Sequence, residues 1–195
     1  VYGGAGFDNF DGINFSYSRF DGELYSNFQT LYGATDVTIV RPQVTFTQSL
    51  DDIFGLTWDG SYGGWLNMRA AYFTAKAEVD SPLLDPLLAA LAGNGFAGVV
   101  PSIDVTDDSG YFWGLGADID RGNWAVGFET IGRGIDDSIA PDTRESYVSV
   151  SYRLGVVQPY LIYGWSKADP NLGLADPLRA VPPLFNATLG ALERQ

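Results

Sequence analysis

Apolar and polar residues alternate with a period of two in eight stretches of this chain, each bounded by turn residues. That is the pattern of β-strands with one apolar face. In "GINFSYSR", Ile13, Phe15 and Tyr17 oppose Asn14, Ser16 and Ser18. "LYSNFQTLY" sets Leu24, Phe28 and Tyr32 against Tyr25, Asn27 and Gln29, and "IFGLTWD" sets Phe54, Leu56 and Trp58 against Gly55 and Thr57. "WLNMRAAYFTA" places Leu66, Met68, Ala70 and Tyr72 opposite Asn67, Arg69 and Ala71. "YFWGLGADID" places Tyr111, Trp113, Leu115, Ala117 and Ile119 opposite Gly114, Gly116 and Asp118. In "GNWAVGFETIGRG", Trp124, Val126 and Phe128 alternate with Ala125, Gly127 and Glu129. "RESYVSVSYRL" sets Val148, Val150 and Tyr152 against Tyr147, Ser149, Ser151 and Arg153. "VQPYLIYGW" sets Pro159, Leu161, Tyr163 and Trp165 against Gln158, Tyr160, Ile162 and Gly164. Pro159 cannot donate a ladder hydrogen bond and is expected at a strand start or a bulge.

The connections alternate in length. Short turns follow the first, third, fifth and seventh strands ("RFDGE", "GSYGG", "DRGN", "GV"), and long segments follow the others, through Ala34–Asp51, Lys76–Ser109, Gly134–Arg144 and the residues after Trp165. In an up-and-down meander this puts every short turn at one end, as in outer-membrane barrels with short periplasmic turns and long external loops. Two of the long segments contain helix-like pieces. "SPLLDPLLAALAG" has Leu83, Leu84, Leu87, Leu88 and Leu91 at helical spacing, Ser81 as N-cap and Gly93 as stop, and "PPLFNATLGALERQ" is similar. The first strand runs toward the short turns and the eighth away from them. Both ends of the chain are therefore expected on the external side, which makes it an internal piece of a larger barrel, a single β-barrel domain over 1–195.

The face opposite the apolar one decides which solvent each side meets. It is mostly Gly, Ser, Asn, Gln and Ala, with isolated Arg69, Asp118, Glu129 and Arg153. A soluble sandwich would carry Lys, Glu and Thr there. The apolar face is nearly free of charge within the strands and has aromatics near strand ends, as a lipid-facing surface does. The expected fold class is an all-β antiparallel up-and-down transmembrane β-barrel, with about eight strands here and short helices in long external loops. The expected lipid-facing residues are Trp58, Tyr72, Trp113, Leu115, Trp124, Val126, Phe128, Leu161, Tyr163 and Trp165. The expected pore-lining residues are Arg69, Asp118, Glu129, Arg153, Asn67 and Gln29. A soluble lipocalin-like ligand-binding barrel and a plugged structural or adhesion barrel are the alternatives.

Composition narrows the chemistry. Acidic residues number 24 against 11 basic ones, for a net charge of −13, which phosphate backbones repel, so nucleic acid is not an expected partner. Cysteine and histidine are both absent, which removes thiolate chemistry and the Ser-His-Asp and Cys-His constellations. No enzyme activity, cofactor or metal site is expected. The segment between Lys76 and Ser109 collects Glu78, Asp80, Asp85, Asp104, Asp107 and Asp108. "DVTDDSG" lacks EF-hand spacing, so a solvated acidic loop is expected, as at Asp51–Asp52 and Asp136–Asp137.

"FDNFDGINFSYS" (Phe7–Ser18) and "WLNMRAAYFTA" (Trp65–Ala75) resemble paired strands of Gram-negative outer-membrane porins that carry a "Y-x-Y-D-G" strand and an "L-x-x-R-A-S-Y" strand. The resemblance implies a barrel of about fourteen to sixteen or more strands. It further implies location in the bacterial outer membrane among lipid and lipopolysaccharide, a homo-oligomer (a trimer), and passive diffusion of small hydrophilic solutes.

Overall fold

A computed structural model describes residues 10–41, 44–80, 82, 84–138, 140–171 and 173. It is an eight-stranded antiparallel sheet in which every strand pairs with its neighbours in the sequence. The strands are β1 (Asp11–Asp21), β2 (Leu24–Arg41), β3 (Val44–Tyr62), β4 (Leu66–Asp80), β5 (Asp108–Arg121), β6 (Trp124–Ile135), β7 (Asp142–Tyr152) and β8 (Tyr160–Asp169). Among the described residues β1 and β8 do not pair with each other, so the sheet is open.

The turns at one end are as short as their composition requires. Gly22 and Gly122 each open a two-residue turn at a φ of 61°. That left-handed conformation at the first turn position is one glycine adopts without steric penalty and hairpins with right-handed twist favour. The β7–β8 connection turns at Gly155–Val156, closed by the Leu154–Val157 bridge. Pro159 immediately precedes β8, and its carbonyl accepts the Tyr152 N–H at 3.2 Å.

The opposite end departs from expectation. Ala34–Asp51 is not a loop. β2 and β3 run on as strands of 18 and 19 residues, paired from Thr35↔Leu50 to Arg41↔Val44. The β-branched runs "VTIV" and "VTFT" supply the strand propensity that overrides a loop. Register shifts at Gly33/Thr35 and Asp51/Phe54 separate this extension from the rest of the sheet. β4 likewise extends past Ala75 to Asp80.

The β4–β5 connection holds α1 (Leu84–Leu91), a π-helical turn (Ala92–Phe96) and α2 (Val100–Ile103). Gly93 does not stop the helix; the turn runs on to Phe96, and the break falls at Gly95, with a φ of 89°. Pro86 sits in the first turn of α1, where its missing N–H costs least. Leu91 and Val99 are buried against Leu87, Phe96, Val100 and Ile103, a small core belonging to the connection itself. Ser81 and Leu83, and the helix-like piece "PPLFNATLGALERQ", lie outside the described residues.

Candidate functional site: the two faces of the sheet

Register joins the eight alternations into two continuous faces. One row of facing residues reads Phe15, Thr30, Leu56, Tyr72, Trp113, Gly132, Arg144 and Lys167. Another reads Arg19, Ser26, Gly60, Met68, Ala117, Phe128, Val148 and Tyr163. Facing residues share a side, and alternation along each strand extends the assignment. Trp58, Tyr72, Trp113, Leu115, Trp124, Val126, Phe128, Leu161, Tyr163 and Trp165 therefore all lie on one face, the aromatic face.

Among the described residues nothing covers this face. Leu161 and Tyr163 are each 68% exposed, Ile13 74% and Leu115 51%. Trp58, Trp113 and Val126 are half-buried. The indole of Trp113 lies over Gly132, where an added Cβ would come within 2.5 Å of the ring, and Trp58 lies over Gly60 in the same way. The hydroxyls in this surface satisfy each other: Ser146 Oγ donates to Thr130 Oγ1 at 2.8 Å, both residues buried.

The two rows also show that the apolar stripe is oblique. Phe15 is the middle of the apolar run of β1, bounded by Asp11 and Arg19, yet its row ends on charged Arg144 and Lys167. The row that begins on charged Arg19 ends in the middle of the apolar runs of β7 and β8. The stripe thus drifts by roughly four to six residues across the sheet. At about 3.3 Å per residue and about 4.8 Å between strands, a level apolar band would need strands tilted by about 20–35°.

The other face is floored with small residues. Arg69, Asp118, Glu129, Asn67 and Gln29 all lie on it. Arg69 Nη2 donates to Asp118 Oδ2 at 2.9 Å. Gly116 makes this possible: a Cβ there would stand 3.0 Å from Arg69 Cγ and 3.2 Å from its Cδ. Gly127 continues the floor, with Asp118 Oδ1 and Ser149 Oγ 3.0 and 2.7 Å from where its Cβ would be. Tyr147 faces Glu129 across the β6–β7 pair. Arg153 does not join Asp118. It lies just past β7 at the short-turn end, where it holds Asp120 through both guanidinium nitrogens, at 2.8 and 2.5 Å, and donates to Gly122 O at 3.1 Å. Asp120 was not among the expected site residues; its place one position before the "RGN" turn is the signal that could have found it.

The face is not uniformly polar. Toward the long connections, Ile53, Phe73, Ala77, Phe112 and Ile135, with Pro141 of the β6–β7 connection, line a cavity of about 410 Å³. The Phe73 and Phe112 rings are 5.9 Å apart. Ile53, Phe73, Ala77, Phe112 and Ile135 occupy polar-face positions in their own strands, which hides the cluster from the alternation.

The acidic residues at this end take turn and loop roles. Asp52 and Asp137 adopt left-handed conformations at a bulge and a turn, which aspartate tolerates better than most residues. Thr106 donates to Asp104, and Lys76 Nζ donates to Asp107 O at 2.9 Å. Among the described residues no group of three carboxylates could hold a metal ion, and no helix is long and apolar enough to cross a membrane. Comparison with protein-family models, curated proteins and solved structures found no match.

Proposed function

We propose that the sheet is a sector of an outer-membrane β-barrel whose aromatic face meets lipid and whose small-residue face lines a water-filled pore for small hydrophilic solutes. The observation that carries this reading is the uncovered aromatic face. A contiguous apolar surface of this extent on a water-soluble protein would be an aggregation or docking surface, whereas lipid leaves it in its preferred solvent. The oblique stripe supports the same reading. Strands of membrane barrels tilt by roughly 35–45°, and a sheet packed on a soluble core has no reason to displace its apolar band steadily from strand to strand. A lipocalin-like barrel would turn its apolar face inward; here that would crowd Trp58, Trp113, Trp124 and Trp165 together while glycines faced water.

In lipid every backbone group must be paired, so the free edges of β1 and β8 would be met by further strands, in line with a larger barrel. A trimer surrounded by lipid and lipopolysaccharide is the setting this reading implies. The test is fractionation followed by conductance. The protein should stay with membranes through carbonate washing, come out in detergent, and give stepwise ohmic conductance in planar bilayers. Recovery in the soluble fraction would sink the membrane reading, and membrane residence without conductance would leave a plugged structural barrel.

A further inference from the structure

Resting on the pore reading, we infer that this wall selects for cations, and that Asp59 and Glu129 are the residues that set the preference. Asp59, Arg69, Gly116, Glu129 and Tyr147 occupy one row on the small-residue face. Arg69 therefore has a carboxylate on either side to choose from: Asp59, directly opposite on β3, and Asp118, two residues along β5 from the Gly116 it faces. It takes Asp118 at 2.9 Å, because Gly116 leaves a floor on which its aliphatic stem can lie.

That choice settles the charge balance of the wall. Arg69 is committed to Asp118, Arg153 to Asp120, and Arg133 faces Glu145 at 4.0 Å while donating to Thr143 Oγ1 at 3.0 Å. Arg69 and Arg153 are thus each tied to a carboxylate of this face. Asp59 has no side-chain hydrogen bond or ion pair among the described residues. Glu129 faces the neutral Tyr147 across the β6–β7 pair, and among the described residues no ion pair cancels its charge. The net field of this row is that of two anions flanking a neutralised arginine. Toward the long connections Glu78, Asp104, Asp136 and Asp142 outnumber Lys76 and Arg133, so a cation approaching from that side meets attraction before it meets the wall.

The experiment is the reversal potential of single channels formed by the full polypeptide in planar bilayers under a potassium chloride gradient. The wild type should pass potassium in preference to chloride. Asp59→Asn with Glu129→Gln should lower the potassium-to-chloride permeability ratio by at least about twofold, and Arg69→Ala, which frees Asp118, should raise it. Asp59→Asn alone and Glu129→Gln alone keep the question open to test if the double variant does not assemble, each lowering the ratio in part. Channels that conduct with no cation preference, or whose ratio none of these variants moves, overturn the inference and leave the pore standing. Absence of any conductance from the wild type overturns the pore reading and the inference with it.

Discussion

The two faces of this sheet differ in what they expose. The aromatic face carries the bulky side chains and leaves Ile13, Phe15, Leu115, Leu161 and Tyr163 more than half exposed. The small-residue face ties Arg69 to Asp118 at 2.9 Å across Gly116. The buried apolar residues among those described are Ile53, Ala71, Ala77, Leu91 and Val99, and two of these belong to the β4–β5 connection. Among the described residues no layer of large aliphatic residues is sealed between the sheet and a second element, so the hydrophobic term that holds a globule together is not collected there. The difference teaches that the side needing explanation is the greasy one, and that its solvent decides the fold's stability.

The sharpest way to break this comparison is to move a charge across it. Leu115 lies mid-stripe on β5, facing Ala70 and Thr130. Leu115→Lys should cost about 2–4 kcal/mol if this face meets hydrocarbon. Ser149→Lys, on the small-residue face, should cost under about 0.5 kcal/mol, the usual scale for a solvated surface change. Urea unfolding in lipid vesicles measures both. Equal small costs would put water on both faces and collapse the distinction.

A second comparison concerns the hydroxyl pair set in the aromatic face. Removing one partner from an apolar environment leaves the other unsatisfied, whereas removing both can be nearly neutral. Thr130→Val and Ser146→Ala should each lower stability by about 1–2 kcal/mol, and the double variant should recover most of that loss. On a face open to water the survivor would be solvated, and all three variants would lie close to wild type. The same vesicle-unfolding assay, run as a double-mutant cycle, reads the difference.

How much of this was legible in the sequence follows from the physics of strands. Which residues share a side within a strand is fixed by the period of two, so every expected lipid-facing residue falls on the aromatic face. Gln29, Asn67, Arg69, Asp118 and Glu129 fall on the other face. What the period cannot give is register, because sliding one strand by two residues preserves every alternation. The oblique stripe, the choice of Asp118 by Arg69 and the pairing of Arg153 with Asp120 all depend on register. The extension of β2 and β3 was missed for another reason: Thr and Val alternate there with too little polarity contrast to show a face, though their β-branching marks the strand. The Phe73–Phe112 contact was invisible because it joins residues that are exceptions in their separate strands.

The smallest effect lies at the margin of the small-residue face. Asp108 begins β5, ahead of the apolar run that starts at Tyr111, and its Oδ2 is buried without a hydrogen-bond partner among the described residues. Burial first, and then the neighbouring charge of Asp137, raise its pKa; Lys76 opposes them, and Asp104 and Asp107 add to the rise. A carboxyl whose pKa is higher folded than unfolded favours the folded state fully at pH below the unfolded value. It loses that contribution as pH rises through the folded one. The wild-type protein should therefore give up a small part of its stability between about pH 4 and neutrality on account of this group. Asp108→Asn, which cannot ionise, should be modestly more stable than wild type at pH 7 and indistinguishable from it at pH 3. Unfolding midpoints at the two pH values test this. A gain of equal size at both would mean that the amide acts through a new hydrogen bond. No gain at pH 7 would mean that water reaches Asp108 and that the small-residue face stays wet to its last residue.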